Sequence, residues 1–269
     1  MVNKKFWKNK KVLITGHTGF KGSWLSSILY KLGCELYGYS LLKSSKKELF
    51  NAIGIGSKFK ASKIADINNY KKLNEFLNQV KPQVIFHLAA QPLVIDSYYD
   101  PLKTFNTNII GTANLIESAR YIRDLKSLVI VTTDKCYLNE DKKIKFFKET
   151  DQLGGSDPYS ASKACAELIS KSYQQSFFKS KKANIATVRA GNIIGGGDYS
   201  KYRIFTDISN SLINNKKLVI RNPGSIRPWQ HVIEPLIGYI NLAEKLFKGK
   251  KEFIGCLLYT SPSPRDATL

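Results

Sequence analysis

The chain has no uninterrupted run of about 18 apolar residues, which excludes a hydrophobic spanning helix. Its N-terminus, MVNKKFWKNKK, is basic but lacks the apolar stretch of a signal peptide, so the expected location is the cytoplasm. Cysteine is scarce. Cys34, Cys136, Cys165 and Cys256 are scattered and form no CxxC pair, which argues against a disulfide frame and against a metal site. Acidic residues are few, 21 against 42 basic ones, for a formal charge of +21. A basic patch can collect phosphates, so a nucleic-acid partner is one reading. No nucleic-acid-binding motif accompanies the lysines, which are spread along the chain, and compositional bias is the preferred reading. Part of the charge can still attract a diphosphate. Internal repeats are also missing.

What is present is a regular alternation over 269 residues, 43% of them hydrophobic. Lys11–Thr15 is a short β-rich run that meets glycine at once. Helical spacing follows over Gly19–Leu32. Further strands are expected at Cys34–Leu41, Ser62–Ala65, Val84–Ala89, Leu128–Thr132 and Ile185–Val188. Helices are expected at Asn68–Val80, Pro101–Arg123 and Pro158–Phe178. Strands alternating with helices imply an α/β fold, a doubly wound parallel sheet covered on both faces. After Arg189 glycines cluster, and two helical stretches, Ile204–Asn214 and Val232–Phe247, suggest a smaller C-terminal substrate lobe. The expected division is a nucleotide-binding domain over 1–190 and a partial lobe over 191–255. The string Cys256–Asp266, CLLYTSPSPRD, breaks the pattern and is similar to a translated sequencing adapter. The expectation is that 256–269 is non-native, that the lobe is truncated and that the natural chain is longer.

Chemistry concentrates in a few motifs. VLITGHTGFKG places Gly16, Gly19 and Gly22, with His17, Thr18 and Phe20 between them, where a strand turns into a helix. A turn without side chains lets backbone approach a pyrophosphate, and the helix offers free N–H groups and a positive dipole end. The GxxGxxG spacing resembles the extended short-chain dehydrogenases, which are Rossmann proteins. No acidic residue closes the second strand, where Tyr39-Ser40-Leu41 stands, so a specific ribose contact is missing. No arginine replaces it, and NAD is the expected cofactor. Asp66 and Ile67 resemble that family's adenine-contacting pair, although a helix-capping aspartate reads the same way. Leu88, Ala89, Ala90 and Gln91 end a buried strand where a cofactor can lie across it. Asn108 resembles the family's structural asparagine.

Tyr159 and Lys163 stand four apart in PYSASK, on one helix face. A lysine ammonium beside a tyrosine favours the phenolate, which can take an alcohol proton. VTTDKCY places Thr133, Asp134 and Lys135 at a strand end. Oxidation needs only the hydroxyl of Thr133, so the added acid and base imply a second reaction. Together GHTGFKGSW, HLAAQPLV, TTDKCY, RAGNIIGGGD and RPWQHVIEPL resemble the CDP-hexose 4,6-dehydratases. That resemblance implies the substrate CDP-glucose. It also implies Tyr159 and Thr133 for oxidation at the sugar 4-hydroxyl, Lys135 for the proton on carbon 5, and Asp134 for the departing 6-hydroxyl. Lys135 can act as base or as electrostatic stabiliser of the enolate. Asn192, Arg203, Arg227 and His231 form the expected substrate set, with Arg227 the diphosphate ligand. The expected partners are the nucleotide sugar and a second copy in a homodimer, with no nucleic acid and no membrane. A sugar-nucleotide epimerase or reductase on the same fold is the alternative, and a nucleic-acid-binding protein on a relic cofactor fold the remote one.

Overall fold

The computed structural model describes residues 2–42, 48–139, 147–179, 183–221, 223–225, 227–250 and 255–258. In chain order the elements are α1 (Lys4–Trp7), β1 (Lys11–Thr15), α2 (Phe20–Lys31), β2 (Glu35–Ser40), α3 (Leu49–Ala52), β3 (Phe59–Ile64) and α4 (Tyr70–Val80). Then follow β4 (Val84–His87), α5 (Val94–Tyr99), α6 (Pro101–Phe105), α7 (Gly111–Ala119), β5 (Ser127–Val131), α8 (Pro158–Tyr173) and β6 (Asn184–Ala190). The chain closes with β7 (Asn192–Ile194), α9 (Ile204–Ile213), β8 (Trp229–His231), α10 (Ile233–Phe247) and β9 (Cys256–Leu258).

The strands form a seven-stranded sheet in the order β3-β2-β1-β4-β5-β6-β9, every neighbouring pair parallel. Strands buried on both faces need near-continuous apolar runs, and SLVIV of β5 is buried at all five positions. One face packs a core that includes Leu25, Leu29, Val129, Leu236 and Ile240, beneath α2 and α10. The other packs Leu73, Leu77, Leu115, Ile116 and Ile185, beneath α4, α7 and α8. The chain leaves β1 toward one edge and returns through β4 to the other. The carboxyl ends of β1 and β4 therefore flank the switch point where doubly wound sheets open a crevice.

The helices begin where local chemistry dictates. Asp157 accepts a hydrogen bond from Ser160 N at 2.9 Å, and Pro158 fills the first turn of α8. The expected single helix over 101–123 is interrupted. Residues Asn106–Ile110 form a wider π turn between α6 and α7. Such turns often mark functional sites, and this one carries Asn108.

Two expected boundaries require correction. The helix expected in the C-terminal lobe, α10, packs instead on β5, β6 and α2. Its apolar stripe, with Leu236, Tyr239, Ile240 and Leu246 all at 0% exposure, is long enough to cover the sheet, so it belongs to the main layer. The non-native tail was expected to begin at Cys256 and make few contacts. Cys256–Leu258 instead extends the sheet beside Val188–Ala190, because β6 would otherwise offer an unpaired edge. Residues 259–269 lie outside the described residues. By contrast α9 buries no residue, and its Leu212 and Ile213 are 77% and 81% exposed.

Candidate active site

The turn after β1 has three glycines with different tasks. Gly16 has φ +72°, and a Cβ there would stand 2.7 Å from Ala89 N, so β1 and β4 could not close up. A Cβ on Gly22 would stand 2.2 Å from Gly16 O, which fixes the helix against the turn. Gly19 differs, because the nearest protein atom to its added Cβ would be Gly16 O at 3.4 Å, an ordinary contact. The protein itself tolerates a side chain at Gly19, and what the glycine keeps open is the space outside the turn. Gly19 caps the 12-residue helix α2 without a side-chain hydrogen bond, which leaves the first helical N–H groups free for an anion. This cradle at the sheet's switch point fits the pyrophosphate of a dinucleotide.

The side chains around the turn mostly face inward. His17 is fully buried against Phe50 and Phe59, its Nε2 2.8 Å from Ser62 Oγ. Thr18 donates to Leu41 O at 2.9 Å and therefore accepts from Ser40 Oγ at 2.8 Å, tying the turn to the end of β2. Phe20 opens α2 and lines the cleft described below. Asp66 is exposed and accepts from Asn68 N at 2.8 Å, whereas the cap of α4 is Asn69. Ile67 is buried against Gly111.

Beneath the crevice runs a directional hydrogen-bond chain. Thr112 Oγ1 donates to Asn108 O at 2.7 Å, so it accepts from His87 Nε2 at 3.1 Å. The neutral His87 Nδ1 then accepts from Thr15 Oγ1 at 2.7 Å, which accepts in turn from Ala89 N at 3.2 Å. Asn108, 1% exposed, accepts from Gln91 N and donates to Gln91 O and Ser162 Oγ, and Ser162 Oγ donates to Tyr159 O. Gln91 spends its own amide on Thr104 and on the backbone of Leu93. Thus His17, Gln91 and Asn108 spend their side chains on internal hydrogen bonds, while Leu88 and Ala89 bring their backbone close against Gly16.

The catalytic candidates converge. Thr133, Lys135 and Tyr159 line one cleft of about 850 Å³ together with Asn192, Arg203 and Arg227, whereas Asp134 and Lys163 stand outside its lining. Tyr159 is hydrogen-bonded to the Thr133 side chain, yet burial pushes its hydroxyl up to about 12. The protein alone therefore does not make the phenolate. Lys163 donates to Val131 O at 3.1 Å, and burial, opposed by Glu167, lowers it to about 8. Thr133 Oγ1 donates to Asp134 Oδ1 at 3.1 Å. Lys135 Nζ lies 3.8 Å from Asp134 Oδ1. Tyr159, Thr133 and Lys135 thus share the cleft lining, and Asp134 is in reach of both Thr133 and Lys135.

The cleft is also lined from β7 and β8, a separate two-stranded parallel sheet with Asn192 opposite Trp229. Arg203 pairs with Asp198 at 3.3 Å. Exposed Arg227 faces the cleft. His231 stands outside the cleft lining, with its Nδ1 accepting from Ile233 N and its ring near Trp24. Sequence reasoning missed Lys21, which lines the cleft. Burial, with Lys163 and Arg203 nearby, brings it down to about 7. It also missed His87, Glu167 and Arg189. Signals were present for Lys21, His87 and Glu167: a lysine inside the glycine motif, a histidine in an apolar strand, and a glutamate four residues after Lys163.

Among the described residues no helix is long and apolar enough to cross a membrane, and no group of three His, Cys, Asp or Glu is placed to hold a metal. The chain is 44% identical over 258 residues to the CDP-glucose 4,6-dehydratase of Salmonella typhimurium, covering 94% of this chain and 71% of that one. It is 33% identical over 80% of its length to the dTDP-D-glucose 4,6-dehydratase of Dictyostelium discoideum, of which it covers 51%. A dTDP-glucose 4,6-dehydratase from Streptomyces venezuelae, solved with NAD bound, superposes with a TM-score of 0.79 at 21% identity, over 96% of this chain and 78% of that one. Residues 13–248 match the GDP-mannose 4,6 dehydratase family, and with the sheet, the glycine turn and the cleft in agreement, the chain belongs to that family.

Proposed function

We propose that this chain is a CDP-glucose 4,6-dehydratase, which converts CDP-D-glucose to CDP-4-dehydro-6-deoxy-D-glucose and water with NAD. The observation that carries this reading is the placement of Tyr159, Thr133 and Lys135 in one cleft, with Asp134 accepting a hydrogen bond from Thr133 and standing 3.8 Å from Lys135. The identity to the Salmonella enzyme chooses the nucleotide. NAD, when bound, supplies a hydride acceptor at the start, a positive charge near Tyr159 that favours its phenolate, and a hydride donor at the end. Gly16, Gly19 and Gly22, the first turn of α2 and Leu88–Ala90 would hold it.

The chain's own residues divide the work. Tyr159 takes the proton of the sugar 4-hydroxyl, and Thr133 orients that hydroxyl. The resulting ketone acidifies the proton on carbon 5. Lys135 removes that proton or stabilises the enolate, and Asp134 delivers a proton to the departing 6-hydroxyl. Arg203 and Arg227 take the diphosphate, since planar guanidiniums suit paired phosphate oxygens. An epimerase needs only the hydroxyl, Tyr159 and Lys163, and would leave Asp134 and Lys135 without a task.

The exposed side chains of Tyr98, Tyr99, Leu102 and Leu168, on adjoining helices α5, α6 and α8, support a homodimer through that side. The enzyme would work in the cytoplasm. The deciding experiment is incubation with CDP-, dTDP- and GDP-sugars. A 4-keto-6-deoxy product from the CDP-sugar, with no net consumption of cofactor, is the expected result. Epimerised product or preference for another nucleotide would overturn it.

A further inference from the structure

One fully buried ion pair lies outside the catalytic set just described. Arg189 of β6 and Glu167 of α8 meet at 2.9 Å, with side chains 4% and 2% exposed. A buried pair is poor evidence of stability, because desolvating two charges offsets their attraction. Its presence calls for another reason, and its partners indicate one.

Glu167 Oε1 accepts from the Thr132 hydroxyl, and Oε2 accepts from Thr187 Oγ1 at 2.6 Å as well as from Arg189. Arg189 Nη1 donates to Tyr137 OH at 2.9 Å and to Glu149 O at 3.1 Å. Thr132 and Tyr137 are the residues on either side of the segment from Thr133 to Cys136. The couple therefore grips both ends of the segment that carries Thr133, Asp134 and Lys135. Glu167 is also four residues beyond Lys163 and eight beyond Tyr159, so one helix face bears all three. The far side is closed as well. A Cβ on Gly255 would stand 2.4 Å from Arg189 Nη2, and Gly255 N donates to Thr187 Oγ1 at 3.0 Å.

We infer that Glu167 and Arg189 are positioning residues that set the Thr133–Lys135 segment at a fixed height against Tyr159 and Lys163. The inference rests on the dehydratase reading above and adds what aligns its two halves. The physical basis is geometric. The hydroxyl of Thr133 must reach the same sugar that Tyr159 addresses, and a displacement of about 1 Å can cost about 10²-fold in rate. A free surface loop does not hold such tolerances, whereas a segment anchored at both ends by buried side chains does. Among the described residues no hydrogen bond or ion pair joins the couple to the glycine turn or to the arginines of the cleft. Its loss should therefore lower kcat and leave KM and cofactor affinity in place. Glu167 has an electrostatic effect too. The Lys163 ammonium faces Glu167 on its own helix, Cys136 from the segment after β5, Lys21 of α2 and His87 of β4. Glu167 is the carboxylate among these and keeps Lys163 charged against burial.

The test uses Thr132→Val, Thr132→Ser and the double variant Glu167→Gln/Arg189→Met in the full chain. Thr132→Val has nearly the same shape but removes the hydroxyl's contacts with Glu167 and with Val188 O at 3.0 Å, and Thr132→Ser keeps the hydroxyl. The double variant removes both charges, so none is left buried alone. The expected result is a kcat about 10- to 100-fold lower in Thr132→Val and in the double variant, with KM for CDP-glucose and NAD affinity within about 3-fold, and recovery in Thr132→Ser. The alkaline limb of the pH–kcat profile should move to lower pH in the double variant. Amide exchange over 132–138 should quicken in both impaired variants without substrate present. Wild-type rates and exchange in Thr132→Val and in the double variant would overturn the inference. Loss spread equally over kcat and NAD affinity would overturn it too. An inactive wild type with quickened exchange in the variants would instead refute the dehydratase reading and leave the positioning role standing.

Discussion

Lys135 Nζ donates a hydrogen bond to Asn192 Oδ1 at 3.1 Å, joining the segment after β5 to the first residue of β7. The amide holds an ammonium that is one-third exposed, and its other neighbour, Asp134, is at 3.8 Å. Asn192 is thus a partner of Lys135 as well as a candidate sugar contact. In Asn192→Ala the lysine loses its anchor, while Tyr159 and Thr133 keep their contact. Cofactor reduction on mixing with CDP-glucose should proceed at the wild-type rate. Reduced cofactor should then persist, because elimination slows by about 10- to 100-fold. Single-turnover absorbance measures both phases. Equal decay in variant and wild type would remove Asn192 from this role.

Gly19 offers a separation of folding from binding. Gly16 and Gly22 cannot accept a Cβ without moving backbone, but Gly19 can. Gly19→Val should therefore fold with nearly unchanged thermal stability and lose NAD binding by at least about 100-fold, through direct obstruction. Fluorescence titration and a melting curve suffice. Unchanged affinity would remove the glycine turn as the cofactor cradle.

How far the sequence reached depends on the kind of signal. Strand β5 and helix α8 declare themselves through apolar runs, Pro158 and the YxxxK spacing, and these need no tertiary information. The cleft pairing of Thr133 with Tyr159 was legible because both motifs end or begin elements at the same sheet edge. The fate of α10 was not. Its apolar stripe states that it is covered but not by what, and only the sheet's free face between α2 and β6 decides that. Nor was the π turn at Asn108, whose side chain finds its partners in the distant Gln91 and Ser162. Arg189 is hidden for the same reason, since one arginine in a buried strand reads as an exception until Glu167 is seen beside it.

The two buried histidines predict an acid-sensitive fold. Burial lowers His17 from its ordinary 6.5 to about 4 and His87 to about 3. Between those values and 6.5 the unfolded chain binds more protons than the folded one. Their contribution to stability is therefore complete above pH 6.5 and is lost as pH falls toward 4 and 3. Near pH 5.5 each histidine should contribute a slope of about 1 kcal/mol per pH unit, and the two together about 2 to 3. Denaturant unfolding between pH 6 and 5, above the main carboxylate range, reads this slope. His87→Gln should lower the absolute stability and reduce the slope by about half. A flat profile in wild type would show that these rings are not held neutral.

The last prediction separates oxidation from elimination. Tyr159 is hydrogen-bonded to Thr133, and the Thr133 hydroxyl donates to Asp134. Tyr159→Phe removes the group proposed to take the 4-hydroxyl proton, so cofactor reduction should fall below detection even with CDP-glucose in excess. Asp134→Asn keeps the shape and the hydrogen bond from Thr133. It should bind substrate and reduce cofactor, and then stall. Loss of a general acid typically costs about 10²–10⁴-fold, so release of water should become the slow step. The stalled variant should also exchange the proton on carbon 5 with deuterated solvent, since Lys135 is untouched. Exchange without product formation places Lys135 before Asp134 in the sequence of events and favours its role as base. Absence of exchange in Asp134→Asn, with cofactor reduced, would favour Lys135 as an electrostatic stabiliser. Turnover at the wild-type rate would remove Asp134 from the reaction.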